Sequence, residues 1–330
     1  MRCGVVGAGA WGTALADLLA RGGCEVRLWA REPDVIESVN GMHENARFLP
    51  GHVLDRALEA YGDVRDVVAD SSVVLYAPPS FALRQVARES ASSLAPGALV
   101  IVASKGIESE TLALMNETVE QETESKRVVA LSGPSFAAEV AAALPTAVVV
   151  AARDMSDAVA AQQLFAGQTF RTYTHDDVTG VELGGALKNV MAVATGIADG
   201  LRLGNNARAA LITRGLAEMT RLGVAKGAKA RTFAGLAGLG DLVLTCTGAL
   251  SRNRSLGVEI GEGRTLDEAL AGRETVAEGV VTTRSARALA ASLGVGMPIV
   301  ESVYSVLFEG VPPREAIAAL MARELRAEED

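Results

Sequence analysis

The first half of the chain alternates short apolar runs with amphipathic stretches. Residues 2–6 form a buried run that leads into Gly7–Gly12, and an Ala/Leu-rich helix follows to about Ala20. Glu25–Trp29, Ser72–Tyr76, Ala98–Ala103, Arg127–Ala130 and Thr146–Ala151 read as further strands, with Phe170–Thr174 closing the set. Helical periodicity lies between them, around Pro33–Asn40, Phe81–Ser93, Leu112–Glu122, Phe136–Ala142 and Ser156–Phe165. This alternation implies an α/β fold, a doubly wound parallel sheet covered on both faces. After about residue 180 the strand signals stop. Glu182–Asp199, Ala207–Leu222, Leu266–Ala271, Thr282–Ser292, Met297–Phe308 and Pro313–Leu325 read as helices. Pro298 and Pro312–Pro313 stand at first-turn positions, and the charged tail Arg323–Asp330 is expected to fray. The expected division is a sheet domain over 1–180 and an all-α domain over 181–330.

Composition narrows the function classes. Hydrophobic residues make up 49% of the 330 positions and charged residues 22%, which is globular. The net charge of −9 argues against nucleic acid or an anionic membrane as a general partner. Three widely spaced cysteines, Cys3, Cys24 and Cys246, fit reduced thiols in the cytoplasm better than a disulfide framework or a zinc ribbon. With three histidines, no His-rich metal site is expected. No run is long and apolar enough to suggest a membrane span.

Gly7-Ala8-Gly9-Ala10-Trp11-Gly12 is a G-x-G-x-x-G, and its place between a strand and a helix gives it meaning. Gly7 allows the tight turn, Gly9 lets a pyrophosphate approach the backbone, and Gly12 lets helix and strand pack closely. The helix N-terminus then offers N–H groups to phosphates. Without a ligand the same hexapeptide would be only a tight turn. The ribose reader is expected about 20 positions on, at Arg31. A cation there favours the 2′-phosphate of NADP, although Glu32 beside it leaves NAD open.

Four more residues carry candidate chemistry. Lys105 follows the fourth predicted strand, at the edge where doubly wound sheets bind ligands; otherwise it is a solvated loop lysine. Lys188 lies in an apolar helix beside Gly184, Gly185 and Ala186. Burial there demands a partner and suits a proton donor to a carbonyl, unless the side chain snorkels to water. The glycine-dense stretch Gly235–Gly240 follows no strand and is expected to bend, bringing Asp241 toward the site. Arg252 can fork onto a phosphate, or it is a surface arginine.

Taken in order, Gly7–Ala16, Phe48-Leu-Pro-Gly51, Ser104-Lys-Gly106, Leu131–Phe136, Gly185-Ala-Leu-Lys-Asn189, Gly235–Asp241 and Ser251-Arg-Asn-Arg254 resemble the bacterial NAD(P)-dependent glycerol-3-phosphate dehydrogenases. The resemblance runs from residue 2 to about residue 310. It implies a Rossmann domain, a helical domain, a cleft between them, and hydride transfer between dihydroxyacetone phosphate and sn-glycerol 3-phosphate; a homodimer is the default expectation for such an enzyme. The reductive direction would supply glycerophospholipid synthesis. It implies Lys188 as the catalytic acid/base. Lys105, Gly133, Ser135, Asp241, Ser251, Arg252 and Asn253 would contact the substrate. Gly7, Gly9, Ala10, Trp11, Gly12, Arg31, Lys105, Ala137, Arg252, Val276 and Glu278 would contact the dinucleotide, NADPH ahead of NADH. Phe48 stands where the family often has tyrosine. Three other readings remain to be weighed: a related two-domain reductase for another phosphorylated or carboxylated substrate, a non-catalytic dinucleotide sensor, and an S-adenosylmethionine methyltransferase. The sensor would not need Lys188, Asp241 and Arg252 together. The methyltransferase predicts an acidic residue where Arg31 stands.

Overall fold

The computed structural model describes residues 1–273, 277–324 and 327. Eight strands build one sheet: β1 (Arg2–Val6), β2 (Glu25–Trp29), β3 (Leu58–Tyr61), β4 (Val73–Tyr76), β5 (Leu99–Val102), β6 (Val128–Ser132), β7 (Thr146–Ala152) and β8 (Phe170–His175). Their spatial order is β3-β2-β1-β4-β5-β6-β7-β8, so the order reverses between β1 and β4. Seven helices connect them: α1 (Ala10–Arg21), α2 (Pro33–Met42), α3 (Val64–Val68), α4 (Leu83–Ala91), α5 (Met115–Thr123), α6 (Ala137–Ala141) and α7 (Met155–Leu164). Strand alternation sorts the two cores. Val5, Leu75 and Ile101 pack with Leu15, Val39 and Ala161 of α1, α2 and α7. Val6, Val74 and Val100 point the other way, onto Val67, Val86 and Val119 of α3, α4 and α5.

Two features of the sheet depart from the sequence reading. The sheet is not wholly parallel, because β7 runs antiparallel to β6. Between them lies only the five-residue α6, which rises roughly 7.5 Å. Returning along a five-residue strand takes about 17 Å, so the chain turns back instead of crossing over. The second is β3, an edge strand of four residues with only Leu58 and Ala60 buried, too short to leave a periodic signal.

Beyond β8 the described chain is helical: α8 (Val178–Gly200), α9 (Gly204–Ala225), α10 (Asp241–Thr247), α11 (Arg252–Gly261), α12 (Leu266–Leu270), α13 (Glu278–Ser292), α14 (Pro298–Phe308) and α15 (Pro313–Met321). Pro298 and Pro313 occupy the first turns of α14 and α15. Of the charged tail, 325, 326 and 328–330 lie outside the described residues.

α8 is the axis of this half. Every residue from Gly180 to Ala198 is buried, which a helix apolar on all sides requires. Even so, among the described residues no helix is long and apolar enough to cross a membrane. α11 crosses α8 in backbone contact. A Cβ on Gly196 would lie 2.2 Å from the Arg254 carbonyl oxygen, and one on Gly257 would lie 2.3 Å from that of Val193. Only glycine permits this approach. The same glycines weaken helix propensity, which is why α11 leaves no helical pattern in the sequence. α10 is missed because seven residues give no full amphipathic repeat.

Candidate active site

The first crossover is built for a dinucleotide. Gly7 has φ +116°, and a Cβ there would come 2.8 Å from the Pro78 nitrogen. The loops after β1 and β4 therefore touch at the reversal of strand order, where such sheets bind ligands. A Cβ on Gly12 would lie 1.9 Å from the Gly7 carbonyl oxygen, so this glycine locks helix to strand. A Cβ on Gly9 would meet nothing within 4 Å, so the backbone there is open for a phosphate. No side chain caps α1, which begins at Ala10 and Trp11, so its first N–H groups remain available. The Trp11 indole Nε1 is buried and has no partner among the described residues. These residues fit a dinucleotide. Arg31 stands beyond β2 with its side chain 80% exposed, donating to Glu32 Oε1 from Nε at 3.2 Å and from Nη2 at 3.0 Å. Ala137 opens α6, and Val276 lies outside the described residues.

Three charged groups meet where the helical half joins the sheet. Asp241 is wholly buried. Its Oδ1 accepts from Lys188 Nζ, and its Oδ2 accepts from Lys105 Nζ at 2.7 Å. Lys105 Nζ also donates to the Gly133 carbonyl at 3.2 Å, and the Ser135 hydroxyl donates to that same oxygen at 3.0 Å. Gly133 has φ +130°, a conformation that favours glycine. The bent segment expected before Asp241 is one wide turn, closed by a bond from the Gly240 N–H to the Gly235 carbonyl at 3.1 Å. It lies on α8, where a Cβ on Gly184 would come 2.4 Å from the Ala237 oxygen. Burial pushes the Lys188 ammonium down to about 8; Asp241 opposes the shift and the Lys105 charge adds to it.

α11 delivers the next residues. Ser251 caps it, its Oγ accepting from the Arg254 N–H at 3.2 Å. Asn253 is buried, its Nδ2 donating to Asn189 Oδ1 at 2.9 Å while its Oδ1 accepts from the Gly279 N–H at 2.9 Å. Asn189 adjoins Lys188 in α8, so the start of α11 is fixed beside the lysine. Arg252 remains open to solvent and forms no hydrogen bond or ion pair with another described residue. Crowding by the protein pulls its guanidinium below its usual value, against the attraction of the Glu278 carboxylate. Glu278, at the start of α13, accepts from the Ser80 N–H at 3.0 Å and from the Ser80 hydroxyl. Burial raises this carboxyl, with the Ser80 bonds and Arg252 opposing.

The structure thus joins Lys188, Asp241, Lys105, Gly133 and Ser135 by hydrogen bonds, and links Asn253 to the helix that carries Lys188. Arg31 stands apart at the β2 edge. Sequence reading missed Asn189 and Ser80 as positioning groups. Asn189 left a signal in its place beside Lys188; an isolated serine such as Ser80 leaves none.

A glycine-rich first crossover at the reversal of strand order, in a chain that also gathers two lysine amines on one buried carboxylate, defines a dinucleotide-dependent oxidoreductase. Residues 2–158 match the family model described as NAD-dependent glycerol-3-phosphate dehydrogenase N-terminus, and residues 177–318 match the model of its C-terminus. The chain belongs to the NAD(P)-dependent glycerol-3-phosphate dehydrogenases. A relative named glycerol-3-phosphate dehydrogenase [NAD(P)+] from Syntrophotalea carbinolica is 52% identical over 333 residues, covering 100% of both chains. One of the same name from Citrifermentans bemidjiense is 53% identical, covering 98% of each. The crystal structure of glycerol-3-phosphate dehydrogenase from Coxiella burnetii superposes with TM-score 0.94 at 42% identity, covering 98% of this chain and 99% of that one.

Proposed function

We propose that the chain interconverts dihydroxyacetone phosphate and sn-glycerol 3-phosphate, with NADPH favoured over NADH, and that its reductive direction feeds glycerophospholipid synthesis. The observation that carries the chemistry is Lys188, a buried amine near its titration point, held by Asp241 beside a second ammonium, Lys105. When bound, the dinucleotide supplies the hydride for reduction and takes it back in oxidation. Arg252, which has no hydrogen-bonded partner among the described residues, grips the substrate phosphate with two parallel hydrogen bonds, and Ser251 and Asn253 set the helix start that carries it. Such positioning contributes up to about 7–11 kcal/mol of a barrier. The Lys188 ammonium donates to the carbonyl oxygen and protonates it as the alkoxide develops. In the oxidative direction the neutral amine takes the hydroxyl proton, which a value of about 8 makes accessible. Lys105, with the Gly133 and Ser135 loop, lines the substrate side.

The open guanidinium of Arg31 supports NADPH, because a 2′-phosphate would replace Glu32 as its partner. We assign 1–180 to dinucleotide binding and 181–330 to substrate binding and catalysis, since the Gly7–Gly12 loop and Lys188 fall on opposite sides of that division. Three buried, unpaired cysteines support a reducing cytoplasmic setting. We infer a homodimer because twofold dimers are the commonest soluble oligomers, and light scattering tests it. The deciding assay follows dinucleotide absorbance with dihydroxyacetone phosphate, NADH and NADPH separately, for wild type and Lys188→Ala. The variant is expected to bind NADPH normally and lose about 100-fold or more in turnover. Normal turnover in Lys188→Ala removes the lysine from the mechanism, and a keto acid reduced in preference to the triose phosphate overturns the substrate.

A further inference from the structure

Beside Lys105 lies a small, partly enclosed space that the reaction as described does not use. Its walls include Ser104, Lys105, Met115, Ser132 and Glu182. About 10 Å³ is open to the centre of a water molecule, room for one water. Two polar atoms of its wall residues, Ser132 Oγ and Glu182 Oε2, have no partner among the described residues. Ser132 is 3% exposed and Glu182 is 8% exposed. Buried polar atoms are almost always satisfied, and polar cavities of this size hold water.

The surroundings of Glu182 hold it neutral. Its Oε1 accepts the Asn116 N–H in the first turn of α5 at 2.8 Å, and no described cation pairs with it. Glu117 and Glu120 of α5 repel its charge, and Arg153, just after β7, attracts it. Burial is the largest influence and pushes the carboxyl up to about 8. Across the space stands Lys105, whose ammonium is already committed to Asp241 and Gly133. Its stem passes over Gly185, where a Cβ would come 3.3 Å from Lys105 Cδ and 2.7 Å from Ser132 Oγ.

We propose that Ser132 and Glu182 hold one buried water against Lys105, and that Glu182, anchored on the Asn116 N–H, is a positioning residue that through this water keeps Lys105 paired with Asp241. An ionised Glu182 would be an anion with no described cation bonded to it, sharing a wall with that lysine. It would compete with Asp241 for the ammonium and loosen the carboxylate that holds Lys188. The kinetic consequence rests on the dehydrogenase reading above; the water does not.

A wild-type crystal structure showing ordered solvent is expected to place one water within hydrogen-bond reach of Ser132 Oγ and Glu182 Oε2. A dry cavity, or a direct Ser132–Glu182 bond, overturns the water site. The positioning role is read from kcat and KM for dihydroxyacetone phosphate with NADPH, from about pH 6 to 9.5, in wild type, E182L and E182Q. E182L is expected to lose about tenfold or more in kcat at neutral pH with NADPH binding intact, and E182Q to recover most of it. The wild-type alkaline limb combines two ionisations, those of Lys188 and Glu182, whereas that of E182Q follows the loss of a single proton. Equal losses in both variants, or equally steep limbs in wild type and E182Q, overturn the positioning role. If E182L does not fold, S132A removes the other anchor of the water and is expected to lose about threefold or more in kcat; wild-type kcat in S132A overturns the proposal. A wild type inactive on dihydroxyacetone phosphate refutes the dehydrogenase reading and leaves the crystallographic arm standing.

Discussion

Asp241→Asn tests the centre of the site. The substitution keeps the shape of the side chain and removes the charge between two ammonium groups. Asp241 is wholly buried, and Lys105 Nζ lies 2.7 Å from its Oδ2, so water cannot stand in for it. Stripping one partner from a buried ion pair costs about 3–5 kcal/mol, which corresponds to roughly 2–4 pKa units on the amine left behind. Desolvation and the Lys105 charge, which already depress Lys188 to about 8, then act unopposed. Lys188 falls further below its usual value, and its protonated fraction at pH 7 drops by about ten- to a thousandfold. Reduction should slow by about ten- to a thousandfold at pH 7, with part of the loss offset because a more acidic ammonium is a better donor. The alkaline limb of the kcat profile moves acidward by the same 2–4 units, roughly. The assay is NADPH oxidation by saturating dihydroxyacetone phosphate across pH, with thermal melting and NADPH fluorescence as controls for folding and binding. A folded variant whose limb stays in place and whose turnover is unchanged refutes the reasoning, because the carboxylate would then have no hold on the amine.

The glycine loop yields a paired expectation. Gly9→Ala adds a Cβ into open space and should fold normally but bind NADPH at least about tenfold more weakly, whereas Gly12→Ala places a Cβ 1.9 Å from the Gly7 oxygen and should melt at a lower temperature; calorimetry and dinucleotide titration separate the two. At the β2 edge, Arg31→Ala should lower the ratio of kcat/KM with NADPH to that with NADH by about tenfold, and Glu32→Gln, which frees the guanidinium, should raise it; unchanged ratios in both remove this pair from cofactor choice. Glu218, whose oxygens accept the Ile299 and Val300 N–H groups at 2.8 and 3.4 Å, is pushed by burial from 4.5 up to about 7. The folded state therefore holds this proton more tightly than the unfolded chain, and the stability it contributes is full below about 4.5 and lost as pH rises through about 7. Glu218→Gln should flatten that dependence, with a melting temperature that gains on wild type between about pH 5 and 8; parallel curves would show that Glu218 is not the titrating group.

Much of the first half was legible because its signals are local. An apolar run, three glycines and an Ala/Leu helix specify the first crossover in some twenty adjacent residues. Lys188 stood out as a charge inside an apolar helix, and Asp241 by the bent glycine segment before it, whereas Arg252 taken alone read as a surface arginine. The direction of β7 was not legible, because it follows from the reach of α6 and not from the residues of either strand. α11 was hidden for the opposite reason: the glycines that let it touch α8 are those that erase a helical pattern. The contacts that fix the site's geometry were equally silent. Asn253 to Asn189 and Ser80 to Glu278 join residues 64 and 198 positions apart, and each is an ordinary polar residue until its partner is placed. The single-water space beside Lys105 depends on the convergence of β5, β6, α5 and α8, which no local pattern encodes.

The crossing of α8 and α11 has one more consequence. The rod that bears the reacting amine is also the keel on which the second half is laid, and at Gly196 and Gly257 it meets its neighbour backbone to backbone, with no side chain there to act as a cushion. Such a joint cannot slide by a fraction of a turn without breaking. New substrate preferences in this scaffold must therefore come from the loops that arrive around the keel, and warming that loosens the joint should end catalysis and the native state in the same step.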